Sequence, residues 1–369
     1  MFDRLVSYAT LARWLGPWAD EASAPRRVDR DTHQIGDGDR RCDIWTYRAR
    51  RTPVRGAVLI APGLHYAGPA DPRMDRFCRI LAASGLLVAA PFIRDYTRLR
   101  VVPRALDDFD LAFEHVRRLP RLPAGRKPII FSISFGSLLA LRLASAPQRA
   151  HQVGGLLIFG GYADWAETIR FSLTGEIDGM LHAAHDPLNQ PVVFMNLLDT
   201  MTGVPDDPSP LVDAWTRYVH ATWGRDEYKR GSRHRDVARS LAADVPADMR
   251  SLFLQGCGAE PGGLELCMDA LSRAGDVSAF LDPRPYLHNL RCPVHLVHGV
   301  DDDVIPFVQL ERLARALPAH VACKTYLTGM YGHTSATSAA ELLRDVPLMA
   351  TELWTMARML RALVETPRR

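Results

Sequence analysis

The chain has 369 residues, 47% hydrophobic and 24% charged, enough for a large core built as one elaborated domain or as a core plus an insert. Its net charge of +3 is carried almost wholly by arginine, since Lys127, Lys229 and Lys324 are the only lysines, and the arginines lie scattered beside Asp or Glu rather than gathered with aromatics as a nucleic-acid binder requires. Six dispersed cysteines without a C-x-x-C pair offer no metal spacing, and no stretch reaches the roughly 20 uninterrupted apolar residues of an integral membrane span.

The start, MFDRLVSYATLARWLGPWADEA, lacks the apolar region of a signal peptide because Arg4, Arg13 and Asp20 interrupt it. Phe2, Leu5, Val6, Ala9, Trp14 and Trp18 fall on one helical stripe. A membrane-surface helix needs a strongly basic polar face, which is missing, so residues 1–22 are expected to form a helix packed on the body. The cytoplasm is the expected compartment.

Two extended segments follow, RRVDRDTHQI and RCDIWTYRA, joined at Gly36-Asp37-Gly38-Asp39, where the glycines supply the positive φ of a hairpin turn. Four continuous apolar runs come next: Ala57 to Ile60, Leu86 to Ala90, Pro128 to Phe131 and Leu156 to Phe159. A fifth, Val294 to Val297, comes much later. Aliphatic runs without alternation are the mark of strands buried on both faces. Segments of helical spacing separate the early runs, around Phe77-Ile80-Leu81, Leu111-Phe113-Val116 and Leu138-Leu139-Leu141. Strand and helix in alternation give a mostly parallel sheet flanked by helices. The alternation stops after Gly161 and resumes near Arg291, too long a gap for a plain connection. Residues 164–290 are therefore expected to form a mainly helical cap or lid inserted after the sixth strand, with 1–163 and 291–369 making the core.

Three stretches carry chemistry. In PIIFSISFGSLLALRLASA a strand runs into Ser132-Ile133-Ser134-Phe135-Gly136 and a helix follows at once. This is G-x-S-x-G with serine at the first position, a pattern that lifts a serine Oγ out of a sharp strand-to-helix turn. In CPVHLVHGVDDDVIP a buried strand ends in an acidic cluster, Asp301, Asp302 and Asp303, any of which could orient an imidazole. In TGMYGHTS, His333 follows another extended run, in a loop directed to the same end of the sheet. The first parallel strand ends in Ala61-Pro62-Gly63-Leu64-His65, so the oxyanion donors would be the amides of Leu64 and Phe135.

Residues 55–163 and 285–345 resemble the α/β-hydrolase superfamily, whose triad follows the same chain order of serine, acid and histidine. The resemblance selects Asp302, which occupies the aspartate position of the strand-H-G-x-x-D-x-x-x-P region, with Pro306 at its end. Two departures stand out: Ser132 replaces a glycine, and Pro62-Gly63 stands where many members have His-Gly. DPRMDRFCRILAASGLLVAAP and GGYADWAETIRFSLTG are similar to uncharacterised bacterial members and supply no substrate. The implied activity is cofactor-free hydrolysis of a small-molecule acyl ester by Ser134, Asp302 and His333. Thioester, amide or C–C cleavage would use the same triad, and a ligand-binding scaffold is the non-enzymatic alternative. Epoxide and haloalkane hydrolases use a carboxylate where this chain has Ser134. A homo-oligomer is compatible with the sequence.

Two lookalikes carry less. Gly256 to Gly263 has the wrong spacing for a nucleotide loop. His182 and His185, beside Asp186, lack a third metal ligand and read as an exposed helix end.

Overall fold

The computed structural model describes residues 2–16, 18–181, 185–229, 231–329 and 346–368. Its main sheet has eight strands: β1 (Val28–Ile35), β2 (Cys42–Ala49), β3 (Ala57–Ala61), β4 (Leu87–Pro91), β5 (Ile129–Ile133), β6 (Gly155–Phe159), β9 (Val294–Gly299) and β10 (Cys323–Thr328). A separate two-stranded ribbon, β7 (Glu176–Ile177) and β8 (Met180–Leu181), falls between β6 and β9 and has no sequence signal. The order across the main sheet is β1-β2-β4-β3-β5-β6-β9-β10. Only β2 runs against the others, pairing antiparallel with both β1 and β4. From β4 to β10 every pairing is parallel.

The apolar runs become the inner strands for a physical reason. Every residue of β3 and β4 is buried, so both faces need aliphatic side chains. Alternate residues serve opposite layers. Leu59, Ala89, Ile130 and Leu156 face the helices Arg104–Arg117 and Gly136–Ser145, while Val58, Val88, Ile129 and Leu157 face the helices Pro72–Ala83 and Val346–Glu365. The expected hairpin is present, with Gly36 at φ +76° and Gly38 at φ +51°.

The N-terminal helix spans Phe2–Leu15 and packs on the body through a side other than the predicted stripe. Ser7 and Leu11 are buried, whereas Leu5, Val6 and Trp18 stay exposed. The Ser7 hydroxyl donates to Ser84 O and accepts from Arg55, so a polar contact helps set which side faces inward. All six cysteines are free thiols and five are buried.

The chain between β6 and β9 is mainly helical, with Gln190–Leu197, Ser209–Thr222, Arg233–Ala242 and Gly263–Arg273 among its helices. Its buried Phe194, Trp215, Tyr218 and Phe253 belong to the same apolar cluster as Leu59 and Ile130. The insert thus extends one layer of the core. It touches loops that leave the C-terminal ends of the strands: Asn196 hydrogen-bonds Leu99 O and Val101 N after β4, and Asp186 N donates to Asp303 O after β9. Among the described residues, no helix is long and apolar enough to cross a membrane.

Candidate active site

Ser134 sits between β5 and the helix Gly136–Ser145 with φ at +53°, a left-handed backbone that a serine adopts only under constraint. The constraint comes from both sides. Ser134 N donates to Phe159 O of β6, and a Cβ at Gly136 would lie 2.2 Å from Ala61 O and 2.5 Å from Pro62 O. Glycine at 136 is therefore what lets the helix start against the end of β3. Ser132 is wholly buried, which explains why a small residue suffices there. Phe135 is wedged from behind: its ring packs against Tyr162 and Trp165, and its carbonyl accepts from the Tyr96 hydroxyl at 3.2 Å.

The loop after β3 lies against this elbow. A Cβ at Gly63 would be 3.4 Å from Ser134 Cβ, so the next residue, Leu64, begins beside the serine. Among the described residues, the amides of Leu64 and Phe135 have no hydrogen-bond partner. Two donors that the fold leaves unspent flank the serine, one from each of two loops. His65 follows at once. Its Nε2 lies 3.3 Å from Asp71 Oδ2 and its Nδ1 accepts from Ala67 N, so the proton resides on Nε2. Burial pulls its pKa below the usual histidine value, with Asp71 pulling the other way.

The three aspartates after β9 separate cleanly. Asp301 is exposed. Asp302 is buried, and its Oδ1 accepts the amides of Val304 and Ile305 at 2.9 and 2.8 Å. Its Oδ2 lies 3.3 Å from His298 Nε2, which also donates to Ile305 O at 2.9 Å. Asp303 turns toward the insert, where Lys229 Nζ bridges it at 2.8 Å and Asp186 at 3.0 Å. Burial lowers the Lys229 pKa, but the two carboxylates outweigh it and hold the ammonium above its usual range.

His333 lies outside the described residues, as does His182. β10, which leads toward His333, ends at Thr328 opposite Gly299 of β9, on the sheet edge that carries Ser134 and Asp302. Glu352 of the C-terminal helix clips that exit, accepting the Thr328 hydroxyl at 2.7 Å and Gly329 N at 2.8 Å. The expected exposed end at His185 and Asp186 is corrected: His185 is half-buried and Asp186 is buried in the Lys229 bridge. No cluster of three potential metal ligands occurs among the described residues.

Sequence reasoning missed Tyr66, His220 and Trp223, the aromatic partners that pack around His65 at this edge. His65 and Tyr66 stack on each other, with Trp223 beside the first and His220 beside the second. Lone aromatics and a lone lysine in the insert carry no pattern that would have flagged them. His298 braces the acidic turn through Asp302 and Ile305 O.

No protein-family model matches the sequence, and no curated protein matches it significantly. Solved structures match it by shape. Brefeldin A esterase, a bacterial homologue of human hormone-sensitive lipase, aligns over 100% of this chain and 86% of its own at a TM-score of 0.50 and 15% identity. A dipeptidyl aminopeptidase IV described as putative, from Bacteroides ovatus, aligns over 92% of this chain and 36% of its own at 0.50 and 10% identity. Pyrococcus horikoshii acylaminoacyl peptidase aligns over 92% of this chain at a TM-score of 0.47 and 13% identity, and the chain spans 41% of that protein's length. These likenesses are of shape alone. The chain is a protein of the α/β-hydrolase fold.

Proposed function

We propose that the protein is a serine hydrolase that cleaves a carboxylic ester through an acyl-serine intermediate, with Ser134 as nucleophile, His333 as base and Asp302 as the acid that orients it. One observation carries the reading: Ser134 is held at positive φ between two unpartnered amides, on the sheet edge that also presents Asp302. A buried strained serine flanked by spare donors has no structural purpose. It is the arrangement that acyl transfer needs.

The reach of His333 supports the assignment. β5 and β10 are three strand steps apart, about 14 Å at the usual spacing. Five residue steps lead from Thr328 to His333, and an extended chain of that length spans at most about 17 Å. The imidazole can therefore bridge a serine after β5 and a carboxylate after β9.

In the reaction, His333 takes the proton of Ser134 as Oγ attacks the carbonyl, and Asp302 stabilises the imidazolium. The developing oxyanion receives hydrogen bonds from Leu64 N and Phe135 N, each worth about 2.7–4 kcal/mol in the transition state. The alcohol leaves with the proton from His333, and water then attacks the acyl-serine with His333 again as base. Residues 164–290 act as the cap: Trp223 packs beside His65 and His220 beside Tyr66, over the loop that carries Leu64, and this cover limits access by bulk water.

Labelling with a fluorophosphonate probe tests the reading, together with turnover of p-nitrophenyl esters of graded chain length. Labelling and turnover that both vanish in Ser134→Ala are expected. A folded wild-type protein that neither labels nor turns over any ester would identify a ligand-binding scaffold instead.

A further inference from the structure

Away from Ser134, an open groove of about 820 Å³ lies between the N-terminal helix, the C-terminal helix and edge strand β10. Four small residues, Ala9, Ala12, Ala357 and Ala362, leave room along it. Leu5, an exposed member of the N-terminal stripe, and Trp354 of the C-terminal helix line it at 58% and 68% exposure. A tryptophan that exposed is expensive in water and serviceable at a contact with another apolar body.

The charges of the groove that lack an opposite partner among the described residues have one sign. Lys324 and Arg358 line it, both exposed, and neither has an acidic partner among the described residues. Tyr326 lies on the same face of β10 as Lys324, with the Arg358 guanidinium 5.0 Å from its ring centre. The acid that lines the groove, Glu365, is already engaged by Arg361 at 3.0 Å and by the Tyr8 hydroxyl at 3.2 Å. An apolar trough lined by two uncompensated cations matches an apolar chain with an anionic head.

We propose that this groove binds a long-chain carboxylate, its hydrocarbon laid along Ala9, Ala12 and Trp354 and its carboxylate held by Lys324 and Arg358. The volume falls within the roughly 300–1,000 Å³ of small-molecule sites. The site is independent of Ser134 and requires no turnover.

Titration calorimetry on the full chain tests this with laurate below its micelle concentration, and with dodecanol as the uncharged control. Wild type should bind laurate saturably, one per chain. Ala9→Trp, at an exposed position, should abolish binding by filling the trough, and Lys324→Ala/Arg358→Ala should weaken it at least about tenfold. Circular dichroism checks that each variant is folded. Absence of saturable binding, or binding that survives Ala9→Trp, overturns the proposal, as does dodecanol binding as tightly as laurate. Two further results overturn it by naming another occupant. One is a sedimentation dimer that Ala9→Trp dissociates. The other is flotation with phosphatidylglycerol vesicles that Ala9→Trp abolishes, without laurate binding.

Discussion

The backbone of Ser134 costs the protein stability. A non-glycine residue in the left-handed region is typically strained by about 1–3 kcal/mol, and at +53° this serine lies within it. Alanine keeps the Cβ and with it the strain; glycine removes both. Ser134→Ala should therefore lose activity with its melting temperature unchanged. Ser134→Gly should also lose activity but gain about 1 kcal/mol, seen as a melting temperature higher by about 1–2 °C. Equal melting of the two variants would mean that the strain is absent. Gly136 makes the converse case, because a methyl there would press on the carbonyls of Ala61 and Pro62. Gly136→Ala should cost about 2–3 kcal/mol and disturb the serine as well, so lost stability and lost fluorophosphonate labelling should appear together.

At the level of elements, the sheet was legible because its strands are fully buried and so announce themselves as aliphatic runs: Ala57 to Ile60 needed no neighbours to be recognised. The elbow was legible because its geometry admits few residues at 132, 134 and 136. Choosing Asp302 from its neighbours took the family resemblance. The structure supplies the physical distinction, since Asp302 caps the amides of Val304 and Ile305 while Asp303 is drawn to Lys229. Less legible was everything set by contact between distant segments. The N-terminal helix turns Ser7 inward because Ser84 O and Arg55 await it, a fact absent from its own periodicity. Gly256 looked like part of a loop motif, yet it is the place where a helix end meets Trp215, with a Cβ there only 2.5 Å from the indole nitrogen. The ribbon β7–β8 has strands too short for any pattern.

Across the whole molecule, two sets of buried side chains make the fold respond to charge. Lys229 is one: largely buried, it neutralises Asp186 from the insert and Asp303 beside Asp302. Lys229→Met would leave two carboxylates facing each other, which should cost about 3 kcal/mol and reduce kcat by loosening the acidic turn, whereas Lys229→Arg should retain most of both. Unchanged kcat in Lys229→Met would separate this bridge from catalysis. Histidines held neutral are the other. Burial lowers the pKa of His65 in the core, and of His185 and His234 in the insert. His115, beneath the sheet, is lowered by burial and by His33. As pH falls past about 6.5, the unfolded chain takes up protons at these positions before the folded one does, so stability must fall with pH. Their contribution is complete above about pH 6.5 and is lost as pH drops through the lowered folded values, at up to about 1.4 kcal/mol per pH unit for each group. The carboxylates whose pKa the fold depresses, Asp71 and Asp75 among them, add their loss only further into acid, below their ordinary value. Thermal melts between about pH 8 and pH 5.5 should therefore show a decline that begins well above the carboxylate range. His234→Gln should make that decline shallower, because it removes a proton acceptor whose Nδ1 is buried without a partner. A melting temperature flat over this interval would mean that these imidazoles are solvated enough to titrate alike in both states.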